Sequence, residues 1–319
     1  MKFLNYLKPM SMAYYLRPVT AIWRAYEAAY FDLSNLWGGE RNSSWAELGV
    51  GDGLQAAIAS GISINERINA YTHMSPNWSQ ARMDKDNRID VFDEAPVENV
   101  SDLHALPNEI MSPWALGIDH KDSLLKKAEK LQVFKQLRKR NMNSPENLFE
   151  AGEKFDLIFS NSLYWSRYPR EVLLQIRKHT TQLYLSLKLS SYSNHLIGTM
   201  QNMGVFGAFL DHGRSNHDGV NLQAEEWLKL LEETGFVVED FLWHAPAGLV
   251  SAIEWCDQRE WAPMIAKLAN DAELGPQQNF QKEMAAHIEH LGFLAYENKL
   301  LQANSSSANY ILVKASVRL

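Results

Sequence analysis

Three glycines at alternate positions are the residues of this chain best suited to hold a ligand. Gly49, Gly51 and Gly53 follow a short apolar segment that starts at Trp45, and a helical pattern follows them, in the run WAELGVGDGLQAAIA. Glycine lets the backbone approach a ligand closely, and the start of the next helix offers N–H groups, so the turn fits a nucleotide-like cofactor. A dinucleotide fingerprint would need glycine where Leu54 stands, which disfavours a nicotinamide-dependent oxidoreductase.

A second group of reactive side chains lies in the stretch LDHGRSNHDG. His212 or His217 could act as a general base, because histidine titrates near neutral pH. Arg214 could anchor an anionic acceptor. The same residue types are also typical of solvated turns, and both interpretations stay open. His287 and His290 are spaced like a metal pair, but no third ligand recommends itself, so no metal site is predicted.

The elements around the glycine turn alternate between strands and helices. Apolar segments at 114–119, 155–160 and 181–189 predict strands, and amphipathic helical patterns follow the first two. A helix over 224–234 is expected to end at Gly235 and to lead into a strand, and the chain closes with another strand. This alternation predicts an α/β fold with a mostly parallel sheet between two layers of helices.

The glycine turn and several later segments resemble the class I S-adenosylmethionine-dependent methyltransferases. That family's first motif, an acidic residue, one spacer and G-x-G-x-G, stands here at residues 47–53. The segments GIDHKDSLLKKAEKL, FDLIFSNSLYW and EEWLKLLEETGFVVEDFLW are similar to its later strands and helices, in the same order. Bacterial members with a leader helix P-x-x-A-x-x-R-x-x-E, here at 18–27, are the most similar. The resemblance implies a Rossmann-like seven-stranded mostly parallel sheet with helices on both faces, an N-terminal helical cap and helical insertions.

The resemblance also implies where S-adenosyl-L-methionine would bind. Asp119, at the end of the second strand, is expected to hold the ribose hydroxyls with its two acceptor oxygens. Asn141, or Asn143 in a shifted register, would lie near the adenine, and Asn161 near the methionine end. The expected cofactor-binding residues are Glu47, Gly49, Gly51, Gly53, Asp119, His120, Asn141, Asn161 and Ser162. The expected acceptor-side residues are Trp165 and Arg214 for binding and His212, His217 and Tyr164 for catalysis.

The interval between the glycine turn and Asp119 is longer than a βαβ crossover requires. Residues 60–113 are therefore interpreted as an insertion. In the alternative, the second strand is at 67–71, and Thr72 and His73 take the place of the acid. The expected domains are a helical cap (1–43), a cofactor-binding methyltransferase domain (44–250 and 304–319) and a helical lid on the substrate side (251–303).

Composition and charge narrow the expected function. The 319 residues are 46% hydrophobic and 22% charged, as in globular proteins, and the net charge of −7 disfavours nucleic acid as a partner. One cysteine, Cys256, and the lack of a long uncharged apolar run indicate a cytoplasmic protein without a membrane span. We expect metal-free, in-line methyl transfer to a small molecule, with a sugar or secondary-metabolite hydroxyl as acceptor. A catalytically silent cofactor-binding partner subunit is the alternative, and the oligomeric state stays open, with a homodimer as one option.

Overall fold

The computed structural model describes residues 2–15, 18–38, 43–62, 112–191, 220–247 and 277–318. Its strands are β1 (Trp45–Leu48), β2 (Trp114–Asp119), β3 (Gln136–Lys139), β4 (Phe155–Ser160), β5 (Thr180–Lys188), β6 (Phe236–Pro246) and β7 (Ala308–Val317). Its α-helices are α1 (Lys2–Ala13), α2 (Pro18–Phe31), α3 (Leu33–Trp37), α4 (Leu54–Ala59), α5 (Asp122–Leu131), α6 (Pro169–His179), α7 (Ala224–Glu233) and α8 (Gln277–Glu297). Short 3-10 turns lie at Pro145–Asn147 and Leu163–Trp165.

All seven strands form one sheet in the order β3-β2-β1-β4-β5-β7-β6. Neighbours from β3 to β5 are parallel, and β7 is antiparallel to both β5 and β6. Consequently β1 to β6 all end at the same edge of the sheet, and β7 starts there. The predicted mostly parallel seven-stranded α/β sheet is confirmed.

Helices cover both faces of the sheet and bury a separate apolar core against each. The first core joins α1, α2 and α4 to side chains such as Trp114 and Phe159. The second joins α6 and α7, through residues such as Ile176 and Trp227, to the opposite face of the central strands. The central strand β1 is buried along its whole length, as expected for a parallel strand covered on both sides.

Helix α2 brings the N-terminal segment onto the sheet. Phe31, at its C-terminal end, stacks on Tyr184 of β5 with ring centroids 5.5 Å apart and meets Phe159 of β4 edge-on at 5.5 Å. These contacts anchor the C-terminal end of α2 on β4 and β5. Trp23, earlier on the helix, lies 5.6 Å from Tyr310 near the start of β7, so α2 reaches the edge at which the parallel strands end.

The strand predicted at residues 114–119 is present and lies beside β1 in the sheet. Trp114–Asp119 pairs in parallel with both β1 and β3. The alternative second strand at 67–71 lies outside the described residues, as does nearly all of the 60–113 segment. A Cβ on Gly117 of β2 would come within 2.8 Å of Leu137 Cδ2 and 2.9 Å of Phe134 Cδ1, so a larger residue there would force these side chains to move.

Element boundaries differ from the sequence prediction by a few residues. β3 ends at Lys139, two residues before Asn141. Helix α7 ends as predicted before Gly235, whose φ is 86°.

The predicted lid segment is described only in part. Residues 251–276 lie outside the described part, whereas α8 packs on the N-terminal helices, where Gln281 Nε2 donates to Met12 O at 3.0 Å. A lid role for 251–303 stays a prediction. None of the described helices is long and apolar enough to cross a membrane.

Candidate functional site

The glycine turn lies between the ends of β1 and β2. The N–H of Gly49 donates to the Ile118 carbonyl at 2.8 Å, and Gly49, Gly51 and Gly53 have φ values of 79°, 58° and 81°. Side chains are disfavoured in this left-handed region. A Cβ on Gly51 would meet no atom within 4 Å. The described residues therefore leave space in front of Gly51 for a ligand to approach the backbone.

Asp119 lies directly beside this turn. Its Oδ2 accepts from the Gly51 N–H at 3.0 Å and its Oδ1 from the Lys121 N–H at 2.9 Å. Burial alone would raise the pKa of the carboxyl, but hydrogen bonds from His120, Lys121 and Gly51 together lower it. Asp119 is thus a carboxylate with a fixed orientation at neutral pH. His120 stays largely exposed, with Nδ1 3.4 Å from Asp119 Oδ1.

Glu47, the acid of the first motif, is buried without a partner. Its side chain is 1% exposed, and neither carboxyl oxygen has a hydrogen-bond partner among the described residues. Burial raises the pKa of Glu47 well above 4.5; the charge on Arg24 opposes this, and Asp52 and Asp119 add to it. A buried carboxyl in this state favours a cationic ligand.

Replacing Glu47 by glutamine should make stability less sensitive to pH. Since the pKa of Glu47 is raised on folding, the folded chain holds a proton that the unfolded chain has released above about pH 4.5. Stability therefore falls as the pH rises from there through the raised pKa. We expect E47Q to gain stability relative to the wild type between pH 5 and pH 8, as measured by thermal unfolding. The exposed Glu225→Gln is the control, and parallel curves for E47Q and wild type would contradict the expectation.

A buried polar network joins the cap to the sheet next to Glu47. Arg24 Nη1 donates to Glu27 Oε2 at 2.7 Å, and the same oxygen accepts from Gln55 Nε2 at 3.0 Å. Ser186 Oγ of β5 donates to Glu27 Oε1 at 2.6 Å. Asn161 Nδ2 in turn donates to Gln55 Oε1. Helix α2, helix α4, β5 and the loop after β4 are therefore held in one arrangement.

The Arg24 guanidinium has donors to spare. Burial alone would lower the pKa of Arg24, but the Glu27 carboxylate offsets this and raises it, so the group is charged. Glu27 is its one hydrogen-bond partner among the described residues, and the side chain is 24% exposed. Because a guanidinium carries five N–H donors, Arg24 can also bind a carboxylate ligand.

The loop after β4 brings two predicted cofactor residues to the glycine turn. Ser162 Oγ donates to the Leu48 carbonyl at 2.9 Å and lies where a Cβ of Gly49 would be. Asn161 is buried and donates to Gln55. Both side chains are therefore engaged with the protein and hold the turn in place. Their contact with a cofactor stays a prediction.

Two aromatic residues follow on the same loop. Lys188 Nζ lies 5.3 Å from the ring centroid of Tyr164 and 4.6 Å from that of Trp165. Burial raises the pKa of Tyr164, and the Arg24 charge opposes it. The phenol is therefore protonated at neutral pH and can donate a hydrogen bond, which limits a catalytic role of Tyr164 to that of a donor.

The predicted adenine-side residue Asn141 lies in the turn that follows β3. It is exposed, and its Oδ1 accepts from the Asn143 N–H at 2.9 Å. Asn143 Oδ1 accepts from the Arg167 N–H at 2.8 Å, which ties this turn to the loop after β4. Both asparagines thus lie at the edge where the strands end, and the adenine role of Asn141 or Asn143 stays a prediction.

The other predicted acceptor residues cannot be placed. His212, Arg214 and His217 lie outside the described residues. The described part contains no group of three His, Cys, Asp or Glu side chains arranged to hold a metal.

A cavity of about 620 Å³ lies away from this site. Tyr6, Ile58 and Lys282 are among its lining residues. Ile58 is at the end of α4, whereas the glycine turn precedes that helix, which is about 9 Å long at 1.5 Å per residue. The cavity is therefore not the candidate cofactor site, which the glycine turn and its charged neighbours define.

Several residues of the polar network are not predicted from the sequence as site residues. Arg24 and Glu27 belong to the leader pattern, and neither Gln55 nor Ser186 lies in a recognisable motif. One signal was present, because Arg24 and Glu27 are three residues apart on a helix that is otherwise rich in aromatic residues and alanine. Two opposite charges on such a face indicate a buried ion pair.

Solved structures of several methyltransferase-fold proteins are similar to this chain. A putative sarcosine dimethylglycine methyltransferase from Galdieria sulphuraria matches with 10% identity and a TM-score of 0.45, covering 92% of this chain and 84% of the other. An S-adenosylmethionine-dependent methyltransferase from Thiobacillus denitrificans, in complex with S-adenosyl-L-homocysteine, matches with 12% identity and a TM-score of 0.38. The match covers 90% of this chain and 91% of the other. The [4+2]-cyclase SpnF matches with 12% identity and a TM-score of 0.40, covering 91% of this chain and 81% of the other.

No protein-family model and no curated protein sequence matches the chain. At these identities and TM-scores the structural similarities decide neither activity nor substrate. The seven-stranded, mostly parallel sheet with helices on both faces is the fold that the resemblance in sequence implies. Its activity has to be argued from the site.

Proposed function

We propose that the protein binds S-adenosyl-L-methionine at the glycine turn and transfers its methyl group to a small-molecule acceptor. The observation that carries the proposal is a carboxyl and a cation, both with unused bonding capacity, beside Gly51. Glu47 is a buried carboxyl without a partner, and Arg24 is a partly buried cation with donors to spare. The charge on Arg24 acts on Glu47, so the two groups are close. An α-amino acid zwitterion complements them.

The methionine carboxylate, the ammonium group and the ribose of the cofactor each have a matching group. Arg24 would bind the methionine carboxylate and Glu47 the ammonium group. Asp119, an oriented carboxylate, would accept from the ribose hydroxyls. The space in front of Gly51 would let the backbone approach the ligand. When bound, the cofactor supplies a methyl group on a positively charged sulfur.

The chain's own contribution is positioning. The network from Glu27 to Asn161 holds Arg24 and the loop after β4 relative to the turn, so the cofactor site is preorganised. Preorganisation lowers the entropic cost of aligning the acceptor with the methyl group. The acceptor side extends over Tyr164 and Trp165, and a hydroxyl of a sugar or secondary metabolite is the proposed acceptor.

Calorimetry with S-adenosyl-L-homocysteine tests the proposed function. The wild type should bind this product and should not bind NAD. Asp119→Asn should weaken binding about tenfold to a hundredfold, since a hydrogen bond to a charged group contributes about 1.5–3 kcal/mol. The exposed Asp122→Asn on α5 is the matched control and should bind as the wild type does. Tight NAD binding, or equal affinity in Asp119→Asn and wild type, would overturn the proposal.

A further inference from the structure

Buried polar atoms of three side chains, two of them buried and one (Trp23) partly buried, lack hydrogen-bond partners near the edge where the strands end. Both ring nitrogens of His244, the indole N–H of Trp23 and the hydroxyl of Ser190 have no partner among the described residues. His244 is close to the end of β6, and Ser190 follows β5 by two residues. Buried polar groups are nearly always paired, so each of these groups destabilises the fold. The rings of His244 and Trp23 are in contact at 6.0 Å, so two of these groups lie together, and a shared ligand would satisfy both.

Aromatic rings surround the unpaired groups. The His244 ring stacks on Tyr26 at 5.0 Å with an interplanar angle of 10°, and it meets Trp23 edge-on at 6.0 Å. Trp23 lies 5.6 Å from Tyr310, which lies 6.1 Å from Tyr164. This aromatic cluster therefore runs from α2 to the loop after β4, beside the proposed cofactor site. Such surfaces favour a planar apolar ring over an aliphatic chain.

We propose, on the basis of the methyl transfer proposed above, that His244 and Trp23 bind the acceptor's hydroxyl group and that the acceptor is an aromatic hydroxyl compound. A hydroxyl group both donates and accepts a hydrogen bond. It donates to a ring nitrogen of His244 and accepts from the indole N–H of Trp23. The rings of Tyr26 and Tyr310 belong to the same cluster and provide apolar surface for the aromatic part.

The electrostatics of His244 suit a phenol better than an alcohol. Burial lowers the pKa of His244 to about 4; Glu27 opposes this and Arg24 adds to it. The imidazole is therefore neutral at pH 7, with one nitrogen able to accept. A weak base takes a proton more readily from a phenol, with a pKa of about 10 as in tyrosine, than from the much less acidic aliphatic alcohols.

The proton and the electrons balance in this step. The hydroxyl proton passes to the His244 nitrogen while the acceptor oxygen forms a bond to the methyl carbon. The bond between that carbon and sulfur breaks, and its electron pair stays on sulfur. The imidazolium then releases its proton to water, which restores the neutral ring.

Binding of 4-nitrophenol to protein saturated with S-adenosyl-L-homocysteine tests the inference. The absorbance of the probe reports both binding and its ionisation. We expect the wild type to bind it in the neutral form, and to bind cyclohexanol at least tenfold more weakly. His244→Phe and Trp23→Phe each remove one hydrogen bond and should weaken 4-nitrophenol binding about tenfold. The exposed His287→Phe on α8 is the matched control and should bind as the wild type does.

Thermal unfolding separates a ligand-binding His244 from a merely structural one. His244→Phe places an apolar ring among aromatic side chains and removes two unpaired nitrogens, so its midpoint should equal or exceed that of the wild type. A structural role would instead lower the midpoint and leave 4-nitrophenol affinity unchanged. If the wild type fails to bind S-adenosyl-L-homocysteine, the proposed function itself is wrong. If the wild type binds the product but not 4-nitrophenol, if it prefers cyclohexanol, or if both variants keep the wild-type affinity for 4-nitrophenol, only this inference is wrong.

Discussion

Replacing Arg24 by methionine is expected to destabilise the protein by about 3–5 kcal/mol at pH 7, the usual effect of removing one partner from a buried ion pair. Arg24 is the cation that Glu27 binds at 2.7 Å, and its charge opposes the raised pKa of Glu47. Glu27 is 3% exposed and Glu47 1% exposed. Without Arg24, the buried carboxyl groups of Glu27 and Glu47 have no nearby positive charge to compensate them. Urea unfolding measures the loss directly.

Two further variants separate the charge of Arg24 from its hydrogen bonds. Arg24→Lys keeps the cation and should stay close to wild-type stability, but it lacks the planar fork and should bind S-adenosyl-L-homocysteine about tenfold more weakly. Arg24→Met combined with Glu27→Gln should be more stable than Arg24→Met alone, because it removes the uncompensated carboxylate. Wild-type stability of Arg24→Met would contradict the proposed network.

The destabilisation by Arg24→Met should also depend on pH. Burial raises the pKa of Glu47 and the Arg24 charge opposes this, so protonation of Glu47 removes the charge that Arg24 compensates, and the penalty for losing the cation shrinks as the pH falls. We expect a smaller difference from the wild type at pH 5 than at pH 8. A difference that does not change with pH would mean that Arg24 contributes through packing of its apolar stem alone.

The sheet could be predicted from the sequence because its strands are local apolar patterns. Trp114–Asp119 and Phe155–Ser160 are short runs buried on both faces, and each is followed by an element that returns the chain for parallel pairing. The glycine turn could be found because positive φ values restrict residue type at Gly49 and Gly51. These constraints act within a few residues of the chain, where a sequence pattern records them directly.

The charged network could not be predicted in the same way. The hydrogen bond from Ser186 to Glu27 joins residues 159 positions apart, and that from Asn161 to Gln55 joins residues 106 apart. No sequence pattern around Ser186 or Gln55 indicates such a distant hydrogen-bond partner. His244 illustrates the same limit, since it occupies an ordinary strand position and becomes unusual only when α2 packs over it. Whether a buried polar atom is paired is a property of tertiary packing.

Gly49→Ala and Gly51→Ala form a matched pair, because the first is expected to act mainly on stability and the second mainly on cofactor binding. A Cβ on Gly49 would lie 1.7 Å from Ser162 Oγ and 2.6 Å from its Cβ, and φ is 79°. Ser162 would have to move and lose its hydrogen bond to Leu48. We expect Gly49→Ala to destabilise the protein by about 2–4 kcal/mol, combining overpacking with a left-handed backbone.

Gly51→Ala should leave the fold nearly intact and damage the site instead. Its φ is 58°, but a Cβ meets no atom within 4 Å, so a loss of about 1–2 kcal/mol is expected from the backbone alone. The added methyl group would occupy the space proposed for the cofactor, and S-adenosyl-L-homocysteine affinity should fall at least tenfold in calorimetry. Wild-type affinity would place the cofactor elsewhere.

A second substitution tests the cause of the destabilisation by Gly49→Ala. Adding Ser162→Gly should restore stability, because it removes both atoms that the new Cβ meets. If stability does not recover, the backbone strain at Gly49 dominates rather than the clash.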